Sequence, residues 1–249
     1  MIITSVENEK IKNLIKLQKK KYRDQTDTYV IEGYHLIEEA YKAGIVLEVF
    51  LLEEEPFSLD VPYTYITKEI MKKVSTLDTP GSIIAVCRKK KFSDMDKSKA
   101  LLNKIVLLDE IQDPGNLGTI IRSSVAFGID MILLSENTVD LYNPKVLRAT
   151  QGVYTHIPIF SIRMEEAISY FKKNGYPIYG TNVINGVDVR TLEDESRNKF
   201  CLILGNEGRG LKKEIQDLCD KNLYIPMKND VESLNVGVAC SILLYELGR

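Results

Sequence analysis

The sequence predicts a two-part α/β protein: a mainly parallel sheet with helices in its C-terminal part, preceded by a smaller α/β unit. Three observations predict it. From residue 104 onward, short apolar runs (KIVLLDEI, MILLS, FCLILG) alternate with longer stretches of helical period such as LGTIIRSSVAF and MEEAISYFKK, the succession of a parallel sheet covered on both faces. Residues 1–90 show the same alternation in shorter pieces. Between them KKKFSDMDKSKALLN, residues 89–103, is polar and basic like a linker. The boundary is therefore expected near residue 95, giving domains 1–95 and 96–249, and 249 residues suffice for two ordinary cores.

Taken in order, a basic helix is expected over about 7–21, then a strand at TYVIEG and a helix at YHLIEEAYKAG that stops on Gly44. A strand at VLEVFLLEE, YTYIT, a short helix at KEIMKKVS and a strand at SIIAVCRK after the Thr79-Pro80-Gly81 turn complete the first part. In the second part KIVLLDEI leads through DPGN into a helix closed by Gly128, followed by the strand MILLS. NPKVLRATQG reads as helix, PIF as a short strand, MEEAISYFKKNG as helix and PIYGTNV as strand. The strand FCLILG, a helix from Leu211 to about Cys219, the strand NLYIPM and the apolar helix SLNVGVACSILLYELG end the chain.

Composition excludes several classes. No apolar run approaches the 18 or so residues of a membrane span, and MIITSVENEKIKNL lacks the pattern of a secretory signal, so a cytoplasmic address is expected. Cys87, Cys201, Cys219 and Cys240 form no C-x-x-C pair, and His35 and His156 are the two histidines, so neither a metal site nor a disulfide framework is expected. The net charge of −2 is uneven: residues 1–23 sum to +5, residues 88–99 to +4 and the remainder to −11. Such stripes suit a phosphate backbone or a solvated helix surface, and charge by itself does not choose between them.

The stretch LGNEGRGL, Leu204 to Leu211, has three glycines between an apolar run and a helix, where a nucleotide loop is expected. A P-loop would need lysine and a hydroxyl after the last glycine, but Leu211 and Lys212 follow Gly210. The order G-x-x-G-x-G is not the dinucleotide fingerprint, and Glu207 inside the loop would repel a pyrophosphate. Glycine also permits close approach of main chain to main chain or to an uncharged ligand. In DPGNLGTIIRSSVAFG, Asn116 is expected at the helix N-cap, and Gly118 and Arg122 lie one turn apart, with Arg122 partly buried against an anionic partner. In IPMKNDVESLNVGVA, Ser233 and Asn235 open the last helix.

These three clusters, in this order, resemble the three motifs of the SpoU/TrmH branch of the SPOUT superfamily, the RNA ribose 2′-O-methyltransferases. N-x-G-x-x-x-R matches Asn116, Gly118 and Arg122; L-G-N-E-G-x-G-L matches Leu204 to Leu211; I-P-M…S-L-N-V…A matches Ile225, Pro226, Met227, Ser233, Leu234, Asn235, Val236 and Ala239. NPKVLRATQG is a further family-like stretch, and residues 1–95 look like the substrate-binding domain of the family, with a fold similar to a ribosomal RNA-binding protein.

The resemblance implies a C-terminal trefoil-knot domain, a homodimer, and S-adenosyl-L-methionine held by Leu204, Gly205, Asn206, Gly208, Ile225, Met227, Ser233 and Leu234. It implies Asn116, Arg122, Glu207, Ser233 and Asn235 as the catalytic set. The implied substrate is RNA, with ribosomal RNA favoured over tRNA, gripped by Lys10, Lys12, Lys16, Lys19, Lys20, Lys21 and Arg23. A tRNA 2′-O-methyltransferase and a non-catalytic protein of the same fold remain the alternatives. The family gives Arg122 the hydroxyl proton. A guanidinium stays protonated, so orienting a phosphate or stabilising a developing alkoxide suits it better.

Overall fold

The protein is described here from a computed structural model covering residues 2–53, 55–91, 102–182, 186–193, 195–228 and 232–248. It divides into two compact units. One is Met1–Lys91 with Asp140–Thr155, the other Phe92–Val139 with His156–Arg249. The sequence placed one boundary near residue 95 and assigned NPKVLRATQG to the C-terminal domain. That segment packs with the N-terminal unit instead. Most of the expected linker, residues 92–101, lies outside the described residues.

The N-terminal unit is a five-stranded mixed sheet. Its strands are β1 (Ile2–Ile3), β2 (Thr28–Glu32), β3 (Val46–Leu52), β4 (Tyr63–Ile66) and β5 (Ile83–Arg88), in the order β1-β4-β3-β5-β2. The expected basic helix is two: α1 (Glu9–Leu17), capped by the Asn8 side chain, and α2 (Lys20–Thr26), with Gln18 and Lys19 between them. A central reason for the break is Arg23. Its guanidinium donates to the carbonyls of Leu17 (2.9 Å) and Gln18 (2.8 Å), holding the end of α1 outside the next helix.

Helices α3 (Tyr34–Lys42) and α4 (Lys68–Val74) follow their predicted places. Ile11 and Leu14 of α1 and Ile70, Met71 and Val74 of α4 bury against Phe50, Ile66 and Ile84 of the sheet. Strand alternation sends Val49, Leu51 and Ala85 the other way. Within this unit the 140–155 segment contributes α6 (Pro144–Thr150) and a 3-10 turn, Val153–Thr155, which contact β2 and α3. Asp140 pairs with Arg23 at 2.5 Å, and the Tyr154 and Tyr29 hydroxyls meet at 2.9 Å.

The C-terminal unit is a seven-stranded, wholly parallel sheet of β6 (Lys104–Leu108), β7 (Met131–Leu134), β8 (Ile159–Ser161), β9 (Ile178–Thr181), β10 (Val187–Asp188), β11 (Phe200–Leu204) and β12 (Lys221–Tyr224). The order is β10-β12-β9-β11-β6-β7-β8, so the late strand β11 lies beside the first, β6, in register from Phe200/Lys104 to Leu204/Leu108. The central strands β6, β7 and β11, buried on both faces, are the near-continuous apolar runs read in the sequence.

Helices α5 (Pro114–Ala126), α7 (Met164–Lys173), α8 (Glu195–Asn198), α9 (Lys213–Gln216) and α10 (Val236–Leu247) complete the unit. Helix α9 is shorter than expected, and β10 and α8 carry no sequence pattern strong enough to announce them. Among the described residues no helix is long and apolar enough to cross a membrane.

Candidate active site

At the carboxyl ends of β9, β11 and β12 lies a cavity of about 310 Å³, reached by Thr181, Leu204 and Tyr224 at the three strand ends. Open parallel sheets bind ligands at this edge, where the loops that leave the strands are free to diverge. All eight residues expected to hold a cofactor line the cavity: Leu204, Gly205, Asn206, Gly208, Ile225, Met227, Ser233 and Leu234. Thr181, Asn182, Gln216 and Tyr224 line it too, and sequence reasoning missed them. Asn182 Nδ2 donates to Gln216 Oε1 and Gln216 Nε2 to the Leu211 carbonyl (2.7 Å), bracing the loop from behind. These contacts join β9 to α9, a pairing without a local signal.

The glycine loop is a tight turn. Asn206 and Gly210 exchange backbone hydrogen bonds (2.9 and 3.1 Å), the Asn206 side chain accepts from the Gly208 and Arg209 amides, and Gly210 has φ of +67°. The returning arm of the turn passes so close to Gly205 that a Cβ there would lie 2.4 Å from the Gly210 carbonyl carbon and the Leu211 nitrogen. Close main-chain crossing, rather than a phosphate, explains the glycine.

The three motif clusters are tied by side chains. Asn235 caps α10: its Oδ1 accepts from the Gly237 and Val238 amides. That commits its Nδ2 to donating, and it donates to Asn116 Oδ1 at 2.8 Å. The Asn116 Nδ2 is thereby turned toward Glu207 Oε1, at 3.2 Å. Glu207 also accepts from the amides of Gln112 (3.1 Å) and Asp113 (2.9 Å) at the start of α5. A carboxylate suits the exposed amides of a helix N-terminus. Burial opposes the charge on Glu207, but the amides of Asp113 and Gln112 and the Asn116 side chain outweigh it and hold the carboxyl below its ordinary value.

Two expectations are corrected. Asn116 is not the N-cap of α5; Asp113 is, accepting from the Asn116 amide at 2.8 Å, so Asn116 sits inside the first turn and is buried. Arg122 is exposed, not partly buried, and makes no hydrogen bond or ion pair with a described residue. On α5 its position faces away from the packed residues Leu117, Ile120, Ile121 and Ser124. Ser233 is exposed at the cavity wall.

Of the cations expected to grip RNA, Lys10 pairs with Glu48, Lys12 with Glu7 and Lys20 with Asp24, while Lys16, Lys19 and Lys21 form no ion pair among the described residues. Arg23 is a correction: it is 4% exposed and committed to Asp140, Leu17 and Gln18, because its side chain turns inward from α2 to close the unit.

The parallel sheet, the cavity walled by main chain at its carboxyl ends and the bonded motif residues beside it define an α/β domain with a small-molecule site at the carboxyl edge of its sheet. The chain belongs to the SpoU rRNA methylase family, which it matches over residues 103–245, and residues 8–85 match the MRM3-like substrate binding domain. It is 38% identical, over 98% of both chains, to the 23S rRNA (guanosine(2553)-2'-O)-methyltransferase RlmP of Bacillus subtilis strain 168. Among solved structures, the AdoMet-bound rRNA methyltransferase from Sinorhizobium meliloti superposes with a TM-score of 0.86 at 27% identity, covering 99% of this chain and 97% of that one. A crystal structure of an RNA 2'-O ribose methyltransferase gives 0.83 at 28% identity, covering 99% and 98%.

Proposed function

We propose that the protein methylates a ribose 2′-hydroxyl in ribosomal RNA with S-adenosyl-L-methionine as donor. The observation that carries this is the bonded series Asn235–Asn116–Glu207, which ties the first motif to the two motifs whose residues line the cavity. The cavity fits the donor: about 310 Å³ is within the size of small-molecule sites, and Leu204, Ile225, Met227 and Leu234 offer apolar surface to an adenosine. Main-chain groups of the 204–211 loop supply polar contacts, and the Glu207 carboxylate suits a cationic ligand better than a phosphate. When bound, the donor supplies an electrophilic methyl group on a sulfonium.

The chain's own part is to bind, orient and handle a proton. Glu207, saturated by amides, is a positioning residue that docks the glycine loop on α5. Ser233 faces the cavity, and Asn235 sets both α10 and Asn116. Arg122, exposed and without a described partner, is available to an RNA phosphate or a developing alkoxide. A protonated guanidinium stabilises negative charge as the hydroxyl proton leaves. The lysines of α1 and α2 grip the phosphate backbone.

The family match over residues 103–245 supports the trefoil knot, and exposed Val238 and Tyr245 on the apolar helix α10 support a homodimer through that face. A ribosomal RNA substrate supports a cytoplasmic address. A guanosine of 23S rRNA is the first target to test, because the 38% identical relative methylates one.

The test is transfer of labelled methyl to ribosomal RNA from a strain lacking the protein, followed by alkaline hydrolysis, with Arg122→Ala beside wild type. Label in alkali-resistant dinucleotides, lost in the variant, supports the reading. Label confined to mononucleotides means base methylation, and label entering only tRNA moves the substrate.

A further inference from the structure

The N-terminal unit has a second cavity, of about 390 Å³, between α1, α2 and the sheet. Its floor is apolar, with Leu14 and Leu17 of α1 and the buried ring of Phe50. Its rim is not. Lys10, Asn13 and Lys16 stand on one side of it, and Tyr22 and Thr26 of α2 on another. The strands contribute Thr28, Leu47 and Glu48.

A backbone irregularity shapes this rim. Strand β3 shifts register against β5 between Val46 and Glu48, which pair with the consecutive residues Cys87 and Val86, so Leu47 is an extra residue. In a regular strand neighbouring side chains face opposite ways. The bulge re-aims them, and both Leu47 and Glu48 reach the cavity. Leu47 remains 43% exposed there, an apolar side chain kept at a polar mouth.

The chemistry selects an occupant. An apolar floor alone would accept many ligands, but here it is ringed by two lysines, an aromatic ring, an amide, two hydroxyls and a carboxylate. Lys19, Lys20 and Lys21 continue the positive charge along the start of α2. Proteins that read single-stranded RNA place unstacked bases against aromatic rings, bond their edges with polar side chains and hold the phosphates with cations. Glu48, held by Lys10 and by the Thr64 hydroxyl (3.0 Å), can accept from the exocyclic amine of a base.

We infer that this cavity takes one unstacked nucleotide of the RNA substrate, its base against Tyr22, its edge met by Asn13 and by the Glu48 that Lys10 holds, and its phosphate on Lys16. The inference rests on the RNA substrate proposed above and adds a site that reads a nucleotide other than the methylated one. The N-terminal unit is then a reader of unpaired sequence as well as a patch of positive charge.

The test uses the full chain and two probes: a short fluorescent single-stranded RNA of mixed sequence, and the same RNA annealed to its complement. Tyr22→Ala should weaken single-strand binding by roughly 5- to 100-fold, the loss of one stacked base. It should leave duplex binding within about twofold and the salt dependence unchanged, because stacking releases no counterions. Tyr22→Phe should bind like wild type. Asn13→Ala, at an exposed position of α1 where alanine favours the helix, should weaken single-strand binding by about threefold or more with Tm unchanged.

Equal losses on single strand and duplex overturn the inference, as does unchanged binding in both Tyr22→Ala and Asn13→Ala. If Tyr22→Ala fails to fold, Asn13→Ala decides. A wild-type protein that transfers no methyl group to rRNA yet loses single-strand affinity in these variants keeps the cavity and loses the proposed activity. Normal transfer with an unaltered KM for RNA in both variants has the opposite meaning.

Discussion

The side-chain amide of Asn235 donates to Asn116 Oδ1 at 2.8 Å across 119 positions of sequence. Asn235 is oriented by the first amides of α10, so the polarity of this bond, and of the next one to Glu207, is set at a helix terminus. Removing the middle of the series strands the Asn235 Nδ2 and takes one donor from Glu207, which keeps the Gln112 and Asp113 amides.

Asn116→Ala is therefore expected to cost about 1–3 kcal/mol, the penalty of leaving a partly buried amide without its partner. Asn116→Asp should be worse at neutral pH, since a carboxylate would face Glu207 Oε1 from about the same 3.2 Å. Acidifying toward pH 5 should narrow the gap between the two variants as one carboxyl takes a proton. Thermal melts at both pH values check this.

Glu207 has a second signature. Its carboxyl is held below the ordinary value of 4.5, so it binds protons less readily in the folded than in the unfolded chain. Its contribution to stability is then complete above the unfolded value and lost as pH falls through the folded one. The Tm difference between wild type and Glu207→Gln should be largest near pH 7 and shrink below about pH 4.5. A difference that stays constant down to pH 3 would show that the carboxylate charge is not what the amides hold.

The glycines of the loop should separate sharply. At Gly205 an added Cβ would meet backbone at 2.4 Å, which no side-chain adjustment relieves, whereas at Gly208 the nearest atom is Asn206 Oδ1 at 3.7 Å. Gly205→Ala should abolish cofactor binding by calorimetry and lower Tm by several degrees. Gly208→Ala should stay within about 0.5 kcal/mol of wild type, as ordinary surface changes do.

Arg23 and its lysine neighbours should likewise part company. Arg23→Ala leaves Asp140 without its partner in a site where both side chains are largely buried (5% and 15% exposed). A destabilisation of about 3–5 kcal/mol is expected. Lys19→Ala and Lys21→Ala should leave Tm unchanged, weaken RNA binding, and each reduce the slope of log K against log salt by about 0.7–0.9. Urea melts and salt titrations distinguish the two kinds of residue.

Arg122, being exposed, can be changed without cost to the fold. Arg122→Ala should lower single-turnover methyl transfer by at least about tenfold with Tm unchanged. Arg122→Lys should recover part of the rate and leave the kinetic pKa in place, as expected of a cation that stabilises charge. A large displacement of that pKa would restore the arginine to the role of base.

Much of this protein was legible in the chain itself. The apolar runs of β6, β7 and β11 and the helical periods of α5 and α7 are local signals, because a strand buried on both faces and an amphipathic helix each need their residues at fixed spacing. The cavity residues Leu204, Gly205, Asn206, Ile225, Met227 and Leu234 were legible through motif resemblance. The break between α1 and α2 was not, because it depends on a guanidinium folding back on carbonyls five and six residues earlier. Tertiary structure also decided which charges remain free. Arg23 and Arg122 look alike in sequence, yet packing buries the first against Asp140 and leaves the second exposed. The placement of Asp140–Thr155 in the N-terminal unit and the Asn235–Asn116–Glu207 series belong to the same class. They arise from contacts between residues far apart in the chain, and such partners are chosen by the packed fold as a whole rather than by any local pattern.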